Sequence, residues 1–307
     1  MKISKVKIED ALKCFFDHEY ESRPVTSGVL AEALGVSHEH LAGVVEQLQQ
    51  SELVEKRGEN FFLTPAGRKY ALEVVRAHRI YETFLARQSG FLSPEWHIDA
   101  HNKEHELSAK EVNALAAYLG EPRFDPHGDP IPTAAGEIKR HSGLALDACP
   151  IGYKGRVLHI EDEPWETYQE LVERGFSVGS SFFIQDKQGD LISIYVEGAR
   201  VKISFAQARQ INVRPLAGDE EIDLDVERLS MLKQREEAVI FGISPTCIGA
   251  ERSRLLDLGF VASTVVSAEF ASLGGSPIAY RLHNTLIGLR KEQGDKILIK
   301  RKAGGQK

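Results

Sequence analysis

Val25-Thr26-Ser27-Gly28-Val29-Leu30-Ala31-Glu32-Ala33-Leu34-Gly35-Val36-Ser37 reads as a short helix, a glycine turn and the cap of a second helix. Leu30, Ala33 and Leu34 share the inward face, Gly35 permits the left-handed turn, and Ser37 can accept the first free amide hydrogens of the second helix. That helix runs to about Gln50, with Leu41, Val44, Val45 and Leu48 on one side. After it, residues 53–63 read as strand, tight turn at Gly58 and strand, and Thr64-Pro65-Ala66-Gly67 opens another helix. Helix, turn, helix and a two-stranded wing form a winged helix, whose second helix ordinarily enters a DNA major groove.

The expected partner is therefore a double-stranded DNA operator, touched by Ser37, His38 and His40 of the second helix and by Lys56 and Arg57 of the wing. Lys2, Lys5, Lys7, Arg68 and Lys69 are further candidates for phosphates. Against this, the exposed face of the second helix carries His38, Glu39, His40, Gln47 and Gln49 and no lysine or arginine. The net charge of -7 is also opposite to a basic footprint, and winged helices serve as protein-interaction modules too.

Further along, two segments carry metal-type donors. His78 and Glu82 are four residues apart on one helix face. His97, His101, Glu104 and His105 come next at i, i+4, i+7 and i+8, where a helix packed on a core would show leucine or valine. One His-x-x-x-His alone reads as a solvated face. Two helices with such pairs favour a nitrogen- and oxygen-ligated divalent ion.

The remainder changes character. Residues 147–216 and 236–302 alternate β-branched or aromatic runs with turns, separated by the acidic stretch 218–225. Both contain a short helix ending at glycine before an apolar residue, Leu171-Val172-Glu173-Arg174-Gly175-Phe176 and Leu255-Leu256-Asp257-Leu258-Gly259-Phe260, which predicts a tandem repeat of small, partly closed barrels. The fold class is α+β. Three scattered cysteines with no CxxC pair argue against disulfides and cysteine-type zinc sites. No apolar run reaches the roughly 20 residues of a membrane span, and the N-terminus lacks an apolar signal-peptide region, so a cytoplasmic chain without membrane association is expected.

With the winged helix before them, the His78/Glu82 pair, the His97–His105 stripe, Leu107-Ser108 and Asp125-Pro126-His127-Gly128-Asp129-Pro130-Ile131-Pro132 resemble the diphtheria-toxin-repressor (DtxR/MntR) family of metal-dependent repressors. The β-rich repeats resemble FeoA-type SH3-like domains, and the second copy is unusual. The resemblance implies a winged-helix DNA-binding domain (1–72), a helical metal-binding and dimerisation domain (73–146) and SH3-like domains at 147–217 and 236–303.

It also implies two adjacent metal positions. Asp10 joins His101, Glu104 and His105 in one; His78, Glu82 and His97 form the other, with Glu163 or Glu166 as ancillary donors. Two departures bear on the ion. His101 stands where the family usually has cysteine or glutamate, and Lys13 replaces the second N-terminal carboxylate of manganese sensors, which argues against a two-manganese cluster. The expected ion is Fe2+, then Mn2+, with Zn2+ and Co2+ admitted. A homodimer reading an inverted repeat is expected from two-fold symmetry. Its helix would be Ser108–Leu119, whose stripe of Val112, Leu115, Ala116 and Leu119 reads equally as intrachain core.

Two other readings compete. A metal-dependent hydrolase is disfavoured because no extra general base, nucleophile motif or phosphate-cradling loop accompanies the donors, so no enzyme is expected. An iron-transport accessory protein with a degenerate winged helix is kept open by the poorly basic second helix.

Overall fold

A computed structural model describes residues 3–20, 22–89, 94–139, 142–218 and 220–302, and the side chains of all of these except 89 and 94–97. The chain divides into two compact units: residues 1–85, 93–125 and 129–140, and residues 86–92, 126–128 and 141–307.

The first unit opens with α1 (Lys5–Tyr20), α2 (Ser27–Leu34) and α3 (His38–Gln50), followed by the wing strands β1 (Val54–Arg57) and β2 (Asn60–Leu63). Gly35 takes φ +59° and returns its amide to Ala31 and Glu32, while Ser37 caps α3 by accepting from the His40 amide. Leu30 and Leu34 are buried as expected, but Ala31 and not Ala33 completes their face. A helix of only eight residues has a narrow buried stripe, and its rotation brings positions 30, 31 and 34 inward. The wing pairs Val54 with Leu63 and Arg57 with Asn60, and Val25 bridges to Phe61 as a third rung. Leu12 and Phe15 of α1 pack with Leu30 and Leu48 in the core of this module.

Helices α4 (Pro65–Ser89), α5 (Pro94–Glu104) and α6 (Ala109–Tyr118) come next. Gly67 at the start of α4 is required by close approach, since a Cβ there would lie 1.9 Å from the Leu53 carbonyl oxygen. A capping box between Ser108 and Glu111 starts α6. Val112, Ala116 and Leu119 pack against Ala77 and Ile80 of α4 and against Ile131, so this stripe is intrachain core. Such packing, worth about 25 cal/mol per Å² of apolar surface, holds α6 to α4.

The second unit contains two sheets. β3 (Leu144–Ala145), β4 (Lys154–Ile160), α7 (Trp165–Glu173), β5 (Ser181–Gln188), β6 (Leu191–Val196), β7 (Ala199–Ser204), α8 (Phe205–Arg209) and β8 (Ile211–Pro215) build the first, in the order β3-β8-β4-β5-β6-β7. β9 (Val226–Arg228), β10 (Glu237–Ile243), α9 (Gly249–Asp257), β11 (Val265–Ala271), β12 (Ile278–Leu282), β13 (Thr285–Leu289), α10 (Lys291–Gly294) and β14 (Ile297–Arg301) build the second, in the order β13-β12-β11-β10-β14-β9.

Read from opposite ends, these orders are the same, which is the repeat predicted from sequence. Gly175 and Gly259 both take positive φ after α7 and α9, and Phe176 and Phe260 beyond them are fully buried. Corresponding strands even carry matching bulges, at 157–159 and 240–242 and again at 184–186 and 268–270. Closure of the two barrels is partial, as expected. Bulges bend and twist each sheet, yet among the described residues the end strands β3 and β7, or β9 and β13, do not pair, so both sheets stay open. Arg228 of the second sheet donates to the carbonyls of Arg174 and Glu197 in the first, and the Tyr195 hydroxyl donates to the Val226 carbonyl, tying the repeats together. Among the described residues, no helix is long and apolar enough to cross a membrane.

Candidate metal centre

Four of the predicted donors converge in the first unit. Asp10 projects from α1, His101 and Glu104 lie in the last turn of α5, and His105 comes directly after it. One ligand atom from each lies within 4.8 Å of the others. His105 Nε2 is 3.2 Å from Asp10 Oδ1 and 3.6 Å from Glu104 Oε1, and His101 Nε2 is 3.8 Å from Asp10 Oδ1. Ligands held about 2.1 Å from a shared ion stand about 3.0–3.4 Å apart, so only small adjustments are needed. Asp10 Oδ1 and His105 Nε2 are both buried, and among the described residues neither makes a hydrogen bond. Burying such atoms unpaired is costly, and a divalent cation would satisfy both. The residues fit an ion bound by nitrogen and oxygen. His101, whose side chain is 41% exposed, marks the solvent side, whereas Glu104 is fully enclosed.

The orientation of His105 comes from a residue that sequence reasoning missed. Glu9, buried beside Asp10 on α1, accepts from His105 Nδ1 at 2.7 Å and from the Tyr70 hydroxyl at 2.6 Å. Committing Nδ1 as donor leaves the Nε2 lone pair facing Asp10 and Glu104. Burial, then the bond to Glu9, pushes the Tyr70 hydroxyl far up, so it stays a donor. A sequence signal existed: Glu9 shares the inward face of α1 with Leu12 and Phe16, where an apolar residue is the norm.

Glu104 faces two ways. Oε1 points to His101 and His105, while Oε2 accepts from His78 Nδ1 at 2.5 Å. The Lys13 ammonium donates to both carboxylate oxygens, at 3.1 and 3.0 Å, and lies 3.3 Å from His78 Nδ1. Burial alone would raise the Glu104 carboxyl, but the hydrogen bonds from His101 and His78 and the Lys13 charge hold it far below the usual carboxylate range. Burial, then Lys13, lowers His78 against the opposing pull of Glu104 and Glu82. Glu82 is buried with its oxygen 3.8 Å from His78 Nε2.

The other predicted donors fare differently. The His97 side chain lies outside the described residues. Glu163 precedes α7 and Glu166 sits in its first turn, both exposed, because α7 buries Tyr168 and Leu171 instead. Neither belongs to a set of three or more neighbouring metal-type donors among the described residues.

On the winged helix, Ser37, His38 and His40 are exposed, though Ser37 Oγ is 2.9 Å from His40 Nδ1 as well as capping α3. Lys56 and Arg57 are exposed at the wing, over the rings of Phe61 and Phe62. Two lysines named for phosphates are used inside the protein: Lys5 donates to the His105 carbonyl and Lys7 to the Leu34 carbonyl. Lys2 lies outside the described residues.

Comparison with known proteins agrees with this picture. The family described as the iron dependent repressor, metal binding and dimerisation domain, matches residues 64–133, and the FeoA domain matches residues 227–301. The diphtheria toxin repressor of Corynebacterium glutamicum is 26% identical over 219 residues, covering 67% of this chain and 95% of its own. The iron-dependent repressor IdeR of Mycobacterium tuberculosis is 30% identical over 122 residues, covering 39% of this chain and 53% of its own. Among solved structures, a manganese-dependent transcriptional repressor in complex with manganese is 32% identical with a TM-score of 0.62, covering 68% of this chain and 100% of its own. ScaR with bound Zn2+ is 27% identical with a TM-score of 0.57, covering 68% and 99%.

Proposed function

The chain belongs to the DtxR/MntR family of metal-dependent transcriptional repressors, and from that premise we propose that it represses transcription when a divalent ion is held by Asp10, His101, Glu104 and His105. The observation that carries this reading is the pair of buried atoms Asp10 Oδ1 and His105 Nε2, 3.2 Å apart and without a hydrogen bond among the described residues. Fe2+ or Mn2+ suits the donors, and Zn2+ or Co2+ is admitted by the two imidazoles. The ion supplies positive charge that draws the carboxylates and imidazoles into one arrangement.

The chain's own residues give that arrangement its consequence. Asp10 belongs to α1, whose Leu12 and Phe15 are packed into the DNA-reading module, whereas His101, Glu104 and His105 belong to the end of α5. Joining them sets α1 against α5 and favours whichever conformation binds operator, by an energy equal to the ion's differential affinity. Ser37, His38 and His40 at the start of α3 would face bases, with Lys56 and Arg57 on phosphates. A cytoplasmic homodimer would read an inverted repeat. We also propose the domain limits 1–72, 73–146, 147–217 and 236–303, with the repeats acting as one accessory module.

Fluorescence anisotropy on a fragment of its own promoter, with Mn2+ or anaerobic Fe2+, tests the proposal. Operator binding should need the ion in wild type and be lost in His105→Ala. Equal retention with and without ion, or in both proteins, refutes it.

A further inference from the structure

Glu104 presents one carboxylate oxygen to the candidate centre and the other to His78. Oε1 faces His101 and His105, at 3.5 and 3.6 Å, and Oε2 faces His78 at 2.5 Å, with Glu82 on the far side of that imidazole. A fully buried carboxylate with both oxygens engaged in this way has the form of a bridge between two cations. The second place already holds one. The Lys13 ammonium reaches Glu104 Oε2 at 3.0 Å and His78 Nδ1 at 3.3 Å, and its side chain is only 19% exposed.

We propose that Lys13 is a tethered cation that fills the position beside Glu104 and His78, so that Glu104 can bind one metal ion and not two. The inference rests on the metal reading above and adds what limits it. Charge supports it. Lys13 already sets one positive charge against Glu104 beside His78. A second ion at that place would add two more positive charges within contact of the ammonium, in a mostly buried site. Sterics agree, because an ammonium that donates to Glu104 and lies 3.3 Å from His78 Nδ1 occupies the space an ion would need. The His78 Nδ1–H is meanwhile committed to Glu104 and offers no lone pair on that side.

Metal content after equilibrium dialysis against Mn2+, with electron paramagnetic resonance of the loaded protein, tests the idea in the full chain. Lys13→Glu replaces the ammonium with a carboxylate and should take up one more Mn2+ per chain than wild type, with spectral broadening from two ions sharing Glu104. Lys13→Arg keeps the charge and should match wild type. Lys13→Met removes the charge without adding a donor. The ammonium lies 3.1 Å from Oε1; with a ligand bond of about 2.1 Å it would sit within about 5 Å of the ion and weaken binding at least about tenfold. Lys13→Met should therefore bind its first Mn2+ at least about tenfold more tightly than wild type. A coupled pair in wild type, no extra ion in a folded Lys13→Glu protein, or unchanged affinity in Lys13→Met overturns the role of Lys13 alone. If Asp10→Ala and His105→Ala retain the wild-type metal content, the metal reading itself fails.

Discussion

Replacing Glu9 with glutamine perturbs the proposed centre through a residue that touches none of its free ligand atoms. Glu9 is buried and holds His105 Nδ1 at 2.7 Å and Tyr70 at 2.6 Å. Glutamine keeps an oxygen for His105 but loses the negative charge. Charge-assisted hydrogen bonds are roughly twice as strong as neutral ones, and one to a charged group contributes about 1.5–3 kcal/mol. The neutral replacement therefore forfeits about 1.4 kcal/mol of the preference for the correct imidazole orientation, which is about tenfold in Kd. Glu9→Ala leaves the Nδ1–H without its acceptor and should cost about a hundredfold, the upper end for partners of ligating histidines. Tyr70→Phe is the control: it removes one buried hydrogen bond, costs about 1 kcal/mol of stability, and should leave Mn2+ affinity within about twofold. Competition against a fluorescent chelator at pH 7.5 measures Kd, and urea unfolding of the metal-free proteins separates stability from binding. Wild-type affinity in Glu9→Gln, or equal weakening in Tyr70→Phe, would refute the orienting role of Glu9.

Three further outcomes are expected from the same residues. Glu104→Ala leaves the mostly buried Lys13 ammonium without its partner and should destabilise the metal-free protein by about 3 kcal/mol, read from urea midpoints. Because Glu104 and His78 are both held below their ordinary values of 4.5 and 6.5, their stabilising effect is complete above those values and is lost as pH falls, first near 6.5 and then below 4.5. Urea midpoints of the metal-free wild type should drop from pH 7.5 and go on dropping below pH 4.5; the fall below 4.5 should be smaller in Glu104→Gln, and an equal fall there would contradict the assignment. Replacing both Lys56 and Arg57 with alanine should lower the slope of log affinity against log salt by roughly two per chain, roughly four for the proposed dimer on operator DNA, and an unchanged slope would remove the wing from the interface.

The reading module was legible in the sequence because its elements are local. Gly35, Ser37, Gly58 and the apolar spacing of α3 each act within a few residues, and all appear where expected. The repeat was legible for the same reason, through the helix-ending glycines and the phenylalanines after them. Whether the sheets close depends on pairing between end strands far apart in sequence, which no local pattern encodes, and they do not. Likewise, the stripe on α6 is apolar in either reading, and only its packing against Ala77, Ile80 and Ile131 assigned it to the core.

For the candidate centre, the periodicity of a helix by itself put His101, Glu104 and His105 on one face, since residues three and four apart stack on one side of a helical turn, and His105 keeps that side although the helix ends at Glu104. Tertiary structure decided which side chains meet that face. It brought Glu9 and Asp10 from 96 and 95 positions away, and it set Lys13, 91 positions away, against Glu104. It also separated the donors, leaving Glu163 and Glu166 exposed on another element. The physical reason is that a buried charge must find its partner in three dimensions, where desolvation makes an unpaired carboxylate or ammonium expensive, and sequence spacing carries no record of that distance.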